Sequence, residues 1–214
     1  MRRDGYNLFL TASHCSSKSW EDDNTVFYQA IPDYYDFSRV GVEYDDKQGS
    51  SCGFLSVNVC RYADATLVRT DVGIGDELGR IARTRYAASS VAPDTLGSLE
   101  IDPANPYFQI VGSTSVAVGT TVQKIGARTG WTRGSVSATC VDTNASRSYS
   151  KLRCQVRTKT WVSKGDSGGP AFLLNPEGTV YLLGVFWGRT KNGSDHYYSP
   201  LSGVQRDLGT LIIN

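Results

Sequence analysis

A serine framed by glycines is the first group in this sequence with chemistry to offer: Gly165-Asp166-Ser167-Gly168-Gly169-Pro170. Glycine allows tight turns that a residue with a Cβ resists. Such a turn lifts a hydroxyl clear of its surroundings and aims successive N–H groups at one spot. Acyl transfer needs that arrangement, a nucleophile beside preformed donors for the developing oxyanion. A serine hydroxyl is a weak nucleophile at neutral pH and requires an adjacent base, itself oriented by a third group. The chain holds two histidines, His14 and His196. The plainer alternative is a glycine-rich loop with an incidental serine, so the surrounding context must decide.

His14 lies in Leu10-Thr11-Ala12-Ser13-His14-Cys15, directly after the apolar Leu8-Phe9-Leu10. Together with the glycine-framed serine, this segment resembles the chymotrypsin-like (trypsin-like) serine protease family. That family's signatures are Thr-Ala-x-His-Cys at the base and Gly-Asp-Ser-Gly-Gly-Pro at the nucleophile. The resemblance implies an aspartate between the two, followed by apolar strand residues, and Tyr62-Ala63-Asp64-Ala65-Thr66-Leu67-Val68-Arg69 fits. Asp64 would then hold the imidazole in the tautomer that accepts the serine proton. Asp71 and Asp76 are nearby carboxylates without that apolar strand behind them.

The same resemblance assigns further parts. The N–H groups of Gly165 and Ser167 would form the oxyanion hole. Gly126-Ala127-Arg128-Thr129-Gly130-Trp131-Thr132-Arg133-Gly134-Ser135-Val136 looks like a segment of the bacterial, short-loop branch, in which a nearby base pairs with the aspartate before the nucleophile. Lys124 or Arg128 would do this for Asp166. Phe186-Trp187-Gly188 is similar to the family's Ser-Trp-Gly, whose backbone pairs with substrate as an added strand. Phe186 departs from the usual serine there. Trp161, six residues before the nucleophile, occupies the position of the pocket floor. Without a carboxylate at that position, a preference for Lys or Arg is not expected. Trp161, Val162 and His196 would crowd the pocket and favour small or medium apolar side chains, or His196 would recognise an acidic one.

The elements that must carry these groups read as strands. The 214 residues are rich in Tyr, Thr, Val, Ser and Gly, and their apolar runs are short. The expected fold is all-β: two six-stranded-type antiparallel β-barrels packed together, with a C-terminal helix over 201–213. Residues 1–95 would form the barrel carrying His14 and Asp64, and 96–214 the barrel carrying Ser167. The stretch 87–106 is the linker candidate, and 52–59, 65–70 and 114–125 read as strands. Family members carry strands ahead of the histidine motif, so the first barrel is expected to lack its N-terminal strands.

Five cysteines leave one without a partner. Cys140 and Cys154 flank a hairpin and would staple it. Cys52 and Cys60 would close a loop, and Cys15 would stay free. That usage points to an oxidising compartment and a secreted protein, although no signal peptide is present in the chain. A formal net charge of +1, with both signs interleaved, excludes the electrostatic footprint of a nucleic-acid binder and of a membrane-surface helix. No cofactor or metal is expected. The partners are a protein or peptide substrate and a protein inhibitor, and the protein is expected to act as a monomer. The function so read is a serine endopeptidase. The rivals are an inactive protease-like binding module and an α/β-hydrolase esterase, whose nucleophile elbow the Ser167 motif also satisfies.

Overall fold

The structure is a computed structural model that describes residues 1–29, 38–54, 57–75, 78–90, 95–145 and 150–213. In chain order its strands begin with β1 (Arg2–Arg3), β2 (Tyr6–Thr11), β3 (Val26–Tyr28), β4 (Arg39–Asp45) and β5 (Ser50–Cys52). Then come β6 (Asn58–Arg61), β7 (Thr66–Thr70), β8 (Arg80–Ala82), β9 (Tyr107–Ser113) and β10 (Thr121–Gly126). The last are β11 (Gly130–Asn144), β12 (Ser150–Thr158), β13 (Pro170–Leu174), β14 (Val180–Arg189) and β15 (His196–Pro200), followed by helix α1 (Leu201–Leu208). α1 is the only α-helix among the described residues, so strands do not alternate with helices and the α/β-hydrolase reading falls.

Two sheets organise the molecule. The first runs β1-β2-β7-β4-β3. Its central strand β7 is buried at Thr66, Leu67 and Val68 because β2 and β4 flank it on both edges. β1 contributes only two residues, and among the described residues no strand pairing closes the sheet between β1 and β3. A cavity of about 680 Å³ lies against this sheet, lined by Leu8, Leu10, Phe27, Ile81, Leu182 and Val185 among others.

The second sheet closes. β10 pairs with β11, β11 with β12, β12 with β15, β15 with β14, β14 with β13, and β13 returns to β10. Closure removes the edges along this ring. Val122, Val136, Val156, Ala171, Leu183, Phe186 and Tyr198 fill its interior. Sheet membership also crosses the midpoint of the chain, since the β5–β6 hairpin joins this sheet through β12. A second cluster, with Leu8, Leu67, Phe108, Trp131, Phe172, Leu201 and Leu208, packs residues of both sheets and α1 together.

Three local expectations need correction. The run 52–59 is not one strand. It turns at Gly53, whose φ of +81° suits glycine, and Cys52 and Cys60 bridge the hairpin. The run 114–125 becomes a strand only from Thr121, after a turn in which the Thr120 N–H donates to the Ala117 carbonyl. The C-terminal helix stops at Leu208 because Gly209 takes a φ of +84°, after which Ile212 pairs with Arg2. The Cys140–Cys154 bridge joins β11 to β12, and Cys15 is the free cysteine. Asp76 lies outside the described residues.

Candidate active site

His14 sits in a single 3-10 turn, Ser13–Cys15, that ends strand β2. Asp64 lies on the segment leading from β6 into β7, and β7 pairs with β2, so the sheet register brings the two side by side. His14 Nδ1 is 2.8 Å from Asp64 Oδ2, and the His14 main-chain N–H donates to Asp64 Oδ1 at 3.0 Å. This double contact fixes both the ring and its backbone. Burial works against a charged His14 ring, but the hydrogen bond and negative charge of Asp64 more than offset it, and the pKa sits above the ordinary histidine value. Asp71 is engaged elsewhere, by Arg39 at 2.7 Å.

A buried frame holds these two segments. Arg61, 1 % exposed, places Nη1 at 2.5 Å from Asp46 Oδ1, and Nη2 donates to the Ala65 carbonyl. Asp46 Oδ2 in turn accepts from Ser13 Oγ at 2.6 Å, directly beside His14. Asp207 on α1 accepts the N–H groups of Tyr62 and Ala63, both at 2.8 Å. The Asp64 N–H donates to Ser199 Oγ on β15 at 2.9 Å. Ser199 donates to Gln155 Oε1, which also accepts from Trp187 Nε1, each at 2.8 Å. Ser199 thus supports the aspartate from the strand beside Phe186, where the expected serine is missing. Motif reading overlooked Ser199, Gln155, Arg61 and Asp46. Their immediate sequence neighbours, such as Asp45 and Lys47 around Asp46 or Arg153 and Arg157 around Gln155, carry no pattern that marks them.

The Ser167 loop is built around Asp166, which is 1 % exposed. Its Oδ1 accepts the N–H groups of Arg128 at 2.8 Å and Thr129 at 3.1 Å. Its Oδ2 takes the Ser163 N–H at 2.9 Å, Thr129 Oγ1 at 2.7 Å and Lys124 Nζ at 3.0 Å. Of the two bases weighed for this pairing, Lys124 makes the ion pair and Arg128 contributes its backbone. Burial penalises both charges, yet the field of Lys124 and the donors together hold the Asp166 carboxyl below its ordinary pKa.

Gly165 and Gly168 take φ values of +101° and +87°, which is why glycines flank this turn. A Cβ on Gly168 would strike Thr11 Oγ1 and crowd the Ala12 N, so the loop lies directly on the strand end that carries His14. Cys15 Sγ is 3.9 Å from the Ser167 carbonyl. Although Cys15 presents surface to solvent, its thiol turns inward, and burial together with the charge of Asp64 pushes its pKa up to about 11. Ser167 Oγ and the His14 ring make no hydrogen bond here. In ligand-free sites that contact is often long and tightens with substrate. The N–H groups of Asp166, Gly168 and Gly169 have backbone acceptors, whereas those of Gly165 and Ser167 donate to none among the described residues.

The remaining residues cluster on one side of the loop. Phe186 is tied to it by paired bonds, Gly168 N–H to the Phe186 carbonyl at 2.8 Å and Phe186 N–H to the Gly169 carbonyl at 2.9 Å. Trp187 stacks on Tyr197 with ring centres 5.3 Å apart, and the space beside Gly188 is open. Val162 is buried in the ring core. Trp161 packs edge-on against His196 at 5.6 Å. No cluster of side chains able to hold a metal occurs among the described residues.

No protein-family model and no curated protein matches the chain. Solved structures do resemble it. One is a glutamic-acid-specific serine protease described as using a novel histidine triad in substrate binding. It is 22% identical with a TM-score of 0.63, over 96% of this chain and 86% of that one. A Nocardiopsis protease is 20% identical with a TM-score of 0.61, over 95% and 84% of the two chains. A Cellulomonas bogoriensis chymotrypsin is 20% identical with a TM-score of 0.60, over 96% and 85%. The chain therefore has the fold of the bacterial chymotrypsin-like serine proteases.

Proposed function

We propose that this protein is a serine endopeptidase that cleaves peptide bonds through an acyl-enzyme. The observation that carries the reading is the His14–Asp64 pair, met by a Ser167 loop packed on the strand end that bears His14. In this mechanism Ser167 Oγ attacks the scissile carbonyl as its proton passes to His14 Nε2, and Asp64 stabilises the imidazolium through Nδ1. The imidazolium then protonates the leaving amine. Water, deprotonated by the same ring, releases the acyl group and restores Ser167. The uncommitted N–H groups of Gly165 and Ser167 suit the oxyanion that forms in each half-reaction.

The substrate is an extended protein or peptide segment laid beside Trp187 and Gly188, where open space allows strand addition. The absence of a carboxylate at Trp161 disfavours Lys and Arg at the cleaved residue. Two disulfides support a secreted protein, since such bridges persist in oxidising compartments. No described helix is long and apolar enough to cross a membrane.

The test is Ser167→Ala assayed on a generic protein substrate, with phosphonofluoridate labelling of the unmodified protein in parallel. Hydrolysis should fall by a factor on the order of 10⁵ to 10⁶, because the triad acts as a unit. The label should sit on Ser167. Hydrolysis that survives the substitution, or a label on another serine, removes the proposal, and an unmodified protein that neither hydrolyses nor labels is a non-catalytic binding module.

A further inference from the structure

The cavity of about 680 Å³ beside the first sheet is separate from the chemistry proposed above, since none of Ser167, His14 and Asp64 lines it. Leu8 and Phe27 reach it from the first sheet, and Ile81, Ile110, Leu182 and Val185 from the second. All of these except Phe27 are buried. Phe27 belongs to β3 and Ile81 to β8, each the last strand of its sheet. No strand pairing joins those two edges among the described residues. Protein interiors pack like organic crystals, with few voids larger than a water molecule. A space of this size between buried apolar walls falls instead within the range of about 300–1,000 Å³ found for small-molecule sites.

We propose that this cavity binds one long-chain fatty carboxylate, with its methylene chain between the two sheets and its head group at Arg80. Charge selects the head group. Arg80 is the one basic side chain in the wall, and no aspartate or glutamate lines it among the described residues. The Arg80 guanidinium lies over the Tyr107 ring, 3.7 Å from its centre. A guanidinium presents a planar fork that matches a carboxylate in two parallel bonds, and stacking on an aromatic face orients that fork. The apolar walls select the chain. Methylene groups need no hydrogen-bond partner when buried, whereas the amides of a peptide do. Thr11 and Gly168 also line the cavity, and they are the residues at which the Ser167 loop rests on the end of β2. A bound chain therefore packs beneath that contact and stabilises it. The site is independent of the endopeptidase reading, because binding reports on it without turnover.

The experiment titrates dodecanoate into the unmodified protein by calorimetry, below the micelle concentration, with dodecan-1-ol as the uncharged comparison. Dodecanoate should bind once per chain and raise the melting temperature as its concentration rises, as a ligand of the folded state must. The alcohol should bind about tenfold more weakly, since hydrogen bonds to a charged partner are the stronger ones. Arg80→Gln should weaken dodecanoate by about the same tenfold and leave the alcohol unchanged. Val40, half-buried on β4, also lines the cavity, so Val40→Trp should fill it and abolish binding of both. A thermal melt shows whether that variant is folded, and where it is not, the Arg80→Gln comparison still decides. Lack of saturable binding, equal affinity for acid and alcohol, or binding that a folded Val40→Trp retains overturns the proposal. Displacement of dodecanoate by an apolar hexapeptide assigns the cavity to an added strand, and a dimer that Val40→Trp dissolves assigns it to a second copy. Either result overturns the proposal as well.

Discussion

Lys124 Nζ lies 3.0 Å from Asp166 Oδ2, and both side chains are wholly withdrawn from solvent. The pair sits immediately before Ser167, so the loop geometry depends on a charge that water does not compensate. Removing one partner of a buried pair leaves the other charge stranded, at a cost of about 3–5 kcal/mol. Lys124→Met should therefore lower the denaturant midpoint sharply and reduce kcat. Lys124→Met combined with Asp166→Asn should recover much of the stability without the activity, because the four remaining donors around position 166 lose their ionised acceptor. Equal activity in the double variant and the parent would show that this pair does not set the loop.

The pH dependence follows from His14. In the proposed mechanism a neutral ring accepts the Ser167 proton, and the pKa of His14 is raised by Asp64 against the effect of burial. Thus kcat/KM should rise with pH through a midpoint above about 6.5. Stability carries the opposite sense. The folded state holds the His14 proton more tightly than the unfolded chain does. This contribution is complete below about 6.5 and disappears as pH climbs through the raised value. In Asp64→Asn the midpoint should move down while the rate drops by about 10⁴-fold, as expected when the tautomer is no longer enforced. A pH–rate profile and pH-dependent melting of the same two proteins read both effects.

The residues proposed to carry the chemistry could be picked out because the spacing and neighbours of such groups are constrained by chemistry itself. Ser167 needs glycines at both flanks, and His14 and Asp64 each border a strand. The strand-rich fold was legible too, from alternating patterns such as that of β10, where Val122 and Lys124 turn inward and Thr121 faces out. Lys124 shows why the rest was not. Whether a lysine within a strand pattern is solvated or buried against a carboxylate depends on β13 crossing beside it, and local sequence does not encode that crossing. Strand interruptions such as Gly53 and the early helix stop at Gly209 likewise depend on a φ that glycine permits without requiring. Arg61, buried, would have passed for a surface base on sequence alone.

Ser199 and Gln155 form the support that motif reading missed, and they offer a separate test. Ser199 Oγ accepts the Asp64 N–H at 2.9 Å, and Gln155 Oε1 accepts from both Ser199 and Trp187. Ser199→Ala orphans a buried N–H, which costs about 1–3 kcal/mol. Because the group lies behind the aspartate rather than against the substrate, kcat should fall by about tenfold with KM nearly unchanged. Gln155→Leu should do the same and also loosen Trp187, visible as a change in tryptophan emission. A rise in KM at constant kcat in Ser199→Ala would place the residue in substrate binding instead.

Gly168 and Gly193 both take positive φ, +87° and +70°, but only Gly168 has a neighbour in the way. The backbone strain of an added Cβ is then common to both, on the order of 1–2 kcal/mol. What differs is the collision with Thr11 Oγ1 and the crowding of the Ala12 N, on the strand end that leads into His14. Gly193→Ala should lose stability by the strain alone and keep its full rate. Gly168→Ala should lose more and should cut kcat by at least a hundredfold, since the loop can relieve the clash only by carrying Ser167 away from the imidazole. Gly168→Ala combined with Thr11→Ala removes one of the two obstacles, and part of the rate should return. The measurement is kcat beside a thermal melt for each variant. A Gly168→Ala protein as active as Gly193→Ala would mean that Ser167 and His14 do not depend on this contact for their alignment.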